Sequence, residues 1–128
     1  MSYYFSKIVE GNFDDVVEAV TARLAEEGFG VLTTIDVSAT LKKKIDVDFQ
    51  HYKILGACNP GYAHKALLAE DKIGTMLPCN VIVQDIGGGK VEVAAIDPMA
   101  SMMAVKNDAL GGIAAEVQGK LKNVIEGL

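Results

Sequence analysis

The hydrophobic and polar positions of the first forty residues follow two different periods. Tyr3 to Val9 alternate, which is typical of a strand with one buried face. Apolar residues then recur with the three-and-four spacing of one helix face, at Phe13, Val16, Val17, Val20 and Leu24. Asn12 is a favourable N-cap for this helix, and Gly28 can supply the left-handed residue that ends it. A short β-branched run from Phe29 to Val37 then predicts a second strand.

The middle of the chain predicts two further helices on either side of a third strand. The pattern from Ser38 to Ile45 indicates a short helix, and the apolar run from Tyr52 to Cys58 indicates a strand. Pro60 then opens a helix, because proline at the first helical position loses no N–H group that the helix needs. We expect this helix to end at Glu70 or Asp71.

A hairpin and the longest helix are predicted in the last part of the chain. Cys79–Ile86 and Val91–Ile96 are apolar strands, and the three glycines between them supply the positive φ of a hairpin turn. Asp97 and Pro98 then begin a short segment that carries three methionines. The final helix has an apolar stripe over about five turns, formed by Leu110, Ile113, Ala114, Val117, Leu121, Val124, Ile125 and Leu128.

These elements predict an α+β fold in a single domain that covers residues 1–128. A largely antiparallel sheet packs against two main helices, the first and the C-terminal one, and the other helices are short. Each main helix has one apolar stripe that must find a partner. We therefore expect the two helices to lie side by side on one face of the sheet and to bury Val17, Val20, Leu24, Val117, Leu121 and Val124.

Composition and charge reduce the number of function classes that fit the chain. The net charge of −5 argues against binding to nucleic acid, which requires a basic surface to neutralise phosphates. The chain shows no signal-peptide pattern and no apolar run near the roughly twenty residues that span a bilayer. We therefore predict a cytoplasmic protein that does not act at a membrane. No cofactor is predicted.

Four stretches together resemble the domain-of-unknown-function family 302 over nearly the whole chain. They read "GNFDDVVEAVTARLAEEGFGVLTTIDVSATLKKK", "YKILGACNPGYAHKAL", "LPCNVIV" and "VEVAAIDP". The resemblance implies a fold like that of the TATA-binding protein, in which a curved antiparallel sheet packs on two main helices. It implies no activity, and a shared fold with a DNA-binding protein is no evidence for DNA binding.

Both cysteines lie in short stretches that also contain asparagine and proline, "ACNPGYAH" and "LPCNV". The simplest interpretation is that Cys58 and Cys79 are two small buried residues. Alternatively, Cys58 is a reactive thiol, because the N-terminus of the helix that follows favours the thiolate. Cys79 enters an apolar strand, and we expect its thiol to stay protonated there.

The remaining candidates for the site are Asn59, His64 and Asn80. Asn59 is expected to cap the helix that Pro60 opens, and Asn80 to form a local turn. Cys58, His64 and Cys79 could supply sulfur and nitrogen ligands to zinc, with His51 as a further candidate. Their spacing matches none of the usual short ligand pairs, so we predict no metal site.

Two functions from different classes therefore remain open. In the first, the chain is a homodimer that binds a small ligand or a partner, and the methionines after Asp97 form an apolar contact surface. In the second, a thiol-dependent protein handles sulfur or redox chemistry through Cys58, with Cys79 and His64 as helpers. The first is preferred because it needs no feature that the sequence does not show.

Overall fold

Residues 2–128 are described by a computed structural model, in which strands and helices alternate along most of the chain. In order, the elements are β1 (Tyr4–Glu10), α1 (Phe13–Glu26), β2 (Gly30–Asp36), α2 (Val37–Ile45), β3 (Tyr52–Cys58), α3 (Pro60–Ala69), a 3-10 helix (Asp71–Met76), β4 (Cys79–Gly87), β5 (Lys90–Ile96), α4 (Pro98–Ser101) and α5 (Asp108–Glu126). The predicted α+β class is confirmed.

The strands of these residues form one five-stranded sheet in the order β1-β5-β4-β3-β2. Every neighbouring pair is antiparallel. The predicted hairpin is β4 and β5, and its three glycines all have φ between 67° and 86°. β4 lies at the centre of the sheet, with β5 hydrogen-bonded to one of its edges and β3 to the other.

Helix α1 begins and ends as its sequence predicts. The Asn12 side-chain oxygen accepts hydrogen bonds from the backbone N–H groups of Asp14 and Asp15, at 2.9 and 3.4 Å. Gly28 takes φ 85°, and the next N–H group, that of Phe29, donates to the Leu24 carbonyl at 2.9 Å. This is the Schellman arrangement, which satisfies the last carbonyls of a helix.

The core lies between the sheet and the two main helices, as predicted. Val20, Leu24, Leu121 and Val124 are fully buried, and Val117 is nearly so. The prediction is wrong for Val17, which is only half-buried. Val16, Val20 and Leu24 recur every four residues and form the centre of the buried stripe, whereas Val17 lies on its flank. The Arg23 guanidinium ties α1 to α5 by donating to the Asn123 carbonyl at 2.7 Å.

The region after α3 differs from the prediction. Helix α3 ends at Ala69, before Glu70 and Asp71, and a 3-10 helix follows directly. Asn107 joins this region to the last helix. Its amide nitrogen donates to the Ala69 carbonyl at 2.7 Å, while its side-chain oxygen caps α5 by accepting from the Ala109 N–H at 3.0 Å. One side chain therefore fixes the start of α5 against the end of α3.

Candidate functional site

A cavity of about 330 Å³ lies where α3, the 3-10 helix and α5 meet the adjoining ends of β3 and β4. We call it the core cavity. Among residues 2–128, those that line it include no charged side chain. Its walls are formed by Phe29, Leu32, Ala57, Cys58, Asn59, Tyr62, Ala63, Ala66, Leu67, Gly74, Leu77, Pro78, Cys79, Pro98, Met102, Leu110, Ile113, Ala114 and Val117.

Gly56 lets the chain close tightly beside the core cavity. A Cβ atom at this position would lie 2.2 Å from the Thr33 hydroxyl oxygen and 2.8 Å from the Pro78 ring. Both distances are shorter than real carbon contacts, so any side chain at position 56 would push its neighbours apart. The absent side chain therefore allows Pro78 to lie against β3, and Pro78 carries Cys79 into the sheet at the cavity wall.

The two cysteines lie on adjacent strands and are both free thiols. Cys79 pairs with Ala57 across the β3–β4 ladder, and Cys58 is one residue beyond that pair. Both thiols belong to the wall of the core cavity. Burial, assisted by the nearby Cys58 thiol, raises the pKa of Cys79 from 9.0 to about 11.

Asn59 occupies the N-cap position of α3, but its side chain makes no capping hydrogen bond. The prediction that it caps this helix is therefore wrong. Its amide nitrogen instead donates to the Glu27 carbonyl at 3.2 Å. Gly28 permits this approach, because a Cβ atom there would lie 3.1 Å from the same nitrogen. Asn59 thus ties the cavity wall to the C-terminal end of α1.

The structure brings together three of the five predicted site residues. Cys58, Asn59 and Cys79 all belong to the cavity wall, whereas His64 is exposed on α3 outside it. Asn80 follows Cys79 on β4 and is exposed, where it pairs with Gly56 in the sheet, so the prediction that it forms a local turn is wrong. Within the described part of the chain, no group of three or more His, Cys, Asp or Glu side chains is placed to hold a metal ion.

Several cavity residues were not identified from the sequence. Ala63 and Ala66 on α3 and Ala114 on α5 leave space because their side chains are small. Alanine is also a common helix residue, so only the packing of the two helices distinguishes these positions. Tyr62 adds a phenol to the wall, and a hydrogen bond to the Glu116 carboxylate raises its pKa above the usual value.

The methionine segment is divided between the core cavity and the surface. Met102 is half-buried and lines the cavity, whereas Met99 and Met103 are 40% and 72% exposed.

Over residues 2–128, none of the helices combines the length and the apolar character needed to cross a membrane.

Comparisons with known proteins agree with this fold and assign no activity. The family model for the domain of unknown function DUF302 matches residues 5–128. A solved structure of an uncharacterised conserved DUF302 protein from Bacillus stearothermophilus is similar, with a TM-score of 0.90 and 27% sequence identity. The match covers 98% of this chain and 98% of that one. No curated protein matches the chain.

Proposed function

Because this chain belongs to the domain-of-unknown-function family DUF302, whose name assigns no activity, we propose its function from geometry: it binds a small apolar molecule in the core cavity. The observation that supports this proposal is the cavity itself. Its volume of about 330 Å³ falls at the lower end of the range that small-molecule sites occupy, roughly 300–1,000 Å³.

The lining indicates the chemical class of the ligand. Aliphatic, aromatic and thiol groups surround the space, and no charged side chain of the described residues offers an ion pair. A charged ligand would lose its hydration without compensation, which is costly in an apolar environment. We therefore propose a neutral, mostly apolar ligand, which Asn59 or Tyr62 at the wall could orient through one hydrogen bond.

Binding of an apolar fluorescent probe tests the proposal. We expect N-phenyl-1-naphthylamine to bind and gain fluorescence with the wild-type chain. Ala114→Leu should weaken this binding at least about tenfold, because Ala114 lines the cavity and the larger side chain fills it. Ala115→Leu is the matched control, since the neighbouring Ala115 is exposed on the same helix. Equal binding by both variants would contradict the cavity as the site.

We further propose that this single domain acts as a homodimer in the cytoplasm. Large apolar side chains remain exposed on its surface, and surfaces of this kind commonly mark a protein contact. A two-fold dimer is the commonest closed assembly of identical chains. The cytoplasmic location is supported by the two unpaired cysteines, because reducing compartments keep thiols free.

A thiol-dependent function is the second candidate. It is favoured by the position of Cys58, which is a partly exposed free thiol on the cavity wall, close to the N-terminus of α3. In this proposal Cys58 reacts with a sulfur or redox substrate in the cavity, and Cys79 on the same wall assists, whereas the exposed position of His64 outside the cavity does not support a role for it. We expect a Cys79→Ser variant to alkylate faster with iodoacetamide at neutral pH than a Cys58→Ser variant. Equally slow labelling of both would leave the cysteines as packing residues.

A further inference from the structure

One face of the sheet is covered by the main helices, and on the opposite face several apolar side chains stay partly or largely exposed. We call this second surface the open face, defined by Tyr4, Ile8, Ile35, Ile54 and Ile82. These residues alternate along their strands with the core residues, so the pleat turns them away from the helices. Tyr4, Ile8 and Ile35 are 42%, 55% and 48% exposed, and the other two are half-buried.

The strand register shows that the apolar residues of the open face are contiguous. Ala94, Ile82, Ile54 and Ile35 pair in sequence and form one apolar row across four strands, which Ser6 continues onto the fifth. Polar side chains at Asn80, Gln84 and Glu92 flank this row on the same face. A continuous apolar row with a polar border is typical of a contact surface.

We propose that a second copy of this chain covers the open face, so that two sheets pack face to face around a two-fold axis. This inference deepens the homodimer proposed above by assigning its interface. The sheet has five strands about 4.8 Å apart, and each strand has about seven residues with a rise of about 3.4 Å per residue. Its width and length therefore enclose a plane of roughly 570 Å². Projecting side chains raise the accessible area of such a plane toward the roughly 800 Å² per partner that stable interfaces bury.

The charge on the open face favours a second copy over other partners. Glu92 pairs with Ile8 and lies among the central rows, where its carboxylate accepts a hydrogen bond from Gln84 at 2.8 Å. Lys90 lies at the turn end of β5. The face thus lacks the clustered cations that nucleic acid or an anionic lipid surface requires. The Glu92 carboxylate is already hydrogen-bonded within the chain, and the apolar row beside it carries no charge, so the face can pair with a copy of itself.

The shape of the open face also suits self-association. A shallow hollow of about 370 Å³ lies over the small side chain of Ala94, and Tyr4 and Ile82 border it. Ile8 is more than half exposed on the adjacent row. One surface therefore presents both a projection and a hollow. A two-fold interface requires this combination, because the same patch must be complementary to itself.

Sedimentation velocity at protein concentrations from about 1 to about 100 micromolar tests the assignment, because this range brackets the dissociation constants of ordinary interfaces. We expect wild type to sediment with twice the chain mass of 13.6 kDa. Ile8→Glu, which places a second carboxylate opposite Glu92, and Ile82→Lys should each raise the dissociation constant of the dimer at least about thirtyfold, because a charge in an apolar interface is desolvated. Leu68→Lys is the matched control, since Leu68 is 75% exposed on α3, away from the sheet.

Ile8 is the main test position because its exposure in the single chain makes the variant compatible with folding, which circular dichroism would confirm. A dimer that ignores both isoleucine substitutions but dissociates in Met103→Lys would overturn the open face as the interface and leave the homodimer intact. A wild-type chain that is monomeric throughout would overturn the dimer itself. Co-sedimentation of that monomer with phosphatidylcholine vesicles would then assign the open face to lipid.

Discussion

At the scale of single residues, Cys79 gives the stability of the protein a defined pH dependence. Burial raises its pKa to about 11 in the folded chain, against 9.0 for the ordinary thiol. Between these values the unfolded chain loses the proton while the folded chain keeps it. Stability is therefore fully present below pH 9 and falls as the pH rises toward 11, by roughly 2–3 kcal/mol in total.

Urea unfolding of wild type and Cys79→Ala at pH 8 and pH 10.5 measures this loss. Tyrosine and lysine residues also titrate in this interval, so the informative quantity is the difference between the two proteins. We expect the difference in unfolding free energy to shrink as the pH rises. A difference that stays constant would mean that the Cys79 thiol ionises as freely in the folded chain as in the unfolded one.

Asn59 and Gly56 show which residue roles the sequence could and could not predict. The neighbouring sequence alone predicts Asn59 as a helix N-cap and places Gly56 within a strand. Asn59 donates to the end of α1 instead of capping α3, because Gly28 is distant in sequence but adjacent in space. The need for glycine at position 56 likewise arises from Thr33 on β2 and from Pro78, which lies just before β4. Local patterns contain neither contact.

At the scale of elements, α5 is the helix on which both the core and the core cavity depend. Leu121 is fully buried in its apolar stripe, so Leu121→Ala should lower the free energy of unfolding by about 2–5 kcal/mol. Lys122→Ala is the control, because Lys122 is exposed on the next position of the same helix and should change stability by less than about 0.5 kcal/mol. Denaturant unfolding with a two-state fit measures both. Similar small losses would contradict the buried position of Leu121.

The helices and strands could be predicted where a local signal, such as a regular hydrophobic spacing or a helix cap, determines them. The stripes of α1 and α5, the Asn12 cap and the glycine hairpin are local signals, and the structure confirms each of them. The 3-10 helix at Asp71–Met76 has no such signal. It forms where the chain must pass from the end of α3 to β4, and Ile73 is buried in a small cluster with Ala66 and Leu110. Packing, not propensity, therefore determines this segment.

At the scale of the whole molecule, the sheet separates two surfaces with different proposed roles. Ala57 and Cys79 line the core cavity on the helix-covered side of the sheet, whereas Ile8 and Ile82 belong to the open face. A substitution on one surface changes neither the lining nor the charge of the other. Effects at separate sites that share no partner usually add within about 0.3–0.5 kcal/mol. The two proposed functions should therefore be independent.

The double variant Ile8→Glu with Ala114→Leu tests this independence. We expect Ile8→Glu alone to leave the affinity for N-phenyl-1-naphthylamine unchanged, and Ala114→Leu alone to leave the dissociation constant of the dimer unchanged. In the double variant each constant should equal that of the corresponding single variant within about twofold, which is the fold-change of the additivity limit. Probe binding that weakens when the dimer dissociates would show instead that the sheet transmits packing changes from the open face to the core cavity. Ligand and partner would then be coupled, with each altering the affinity for the other by the same factor.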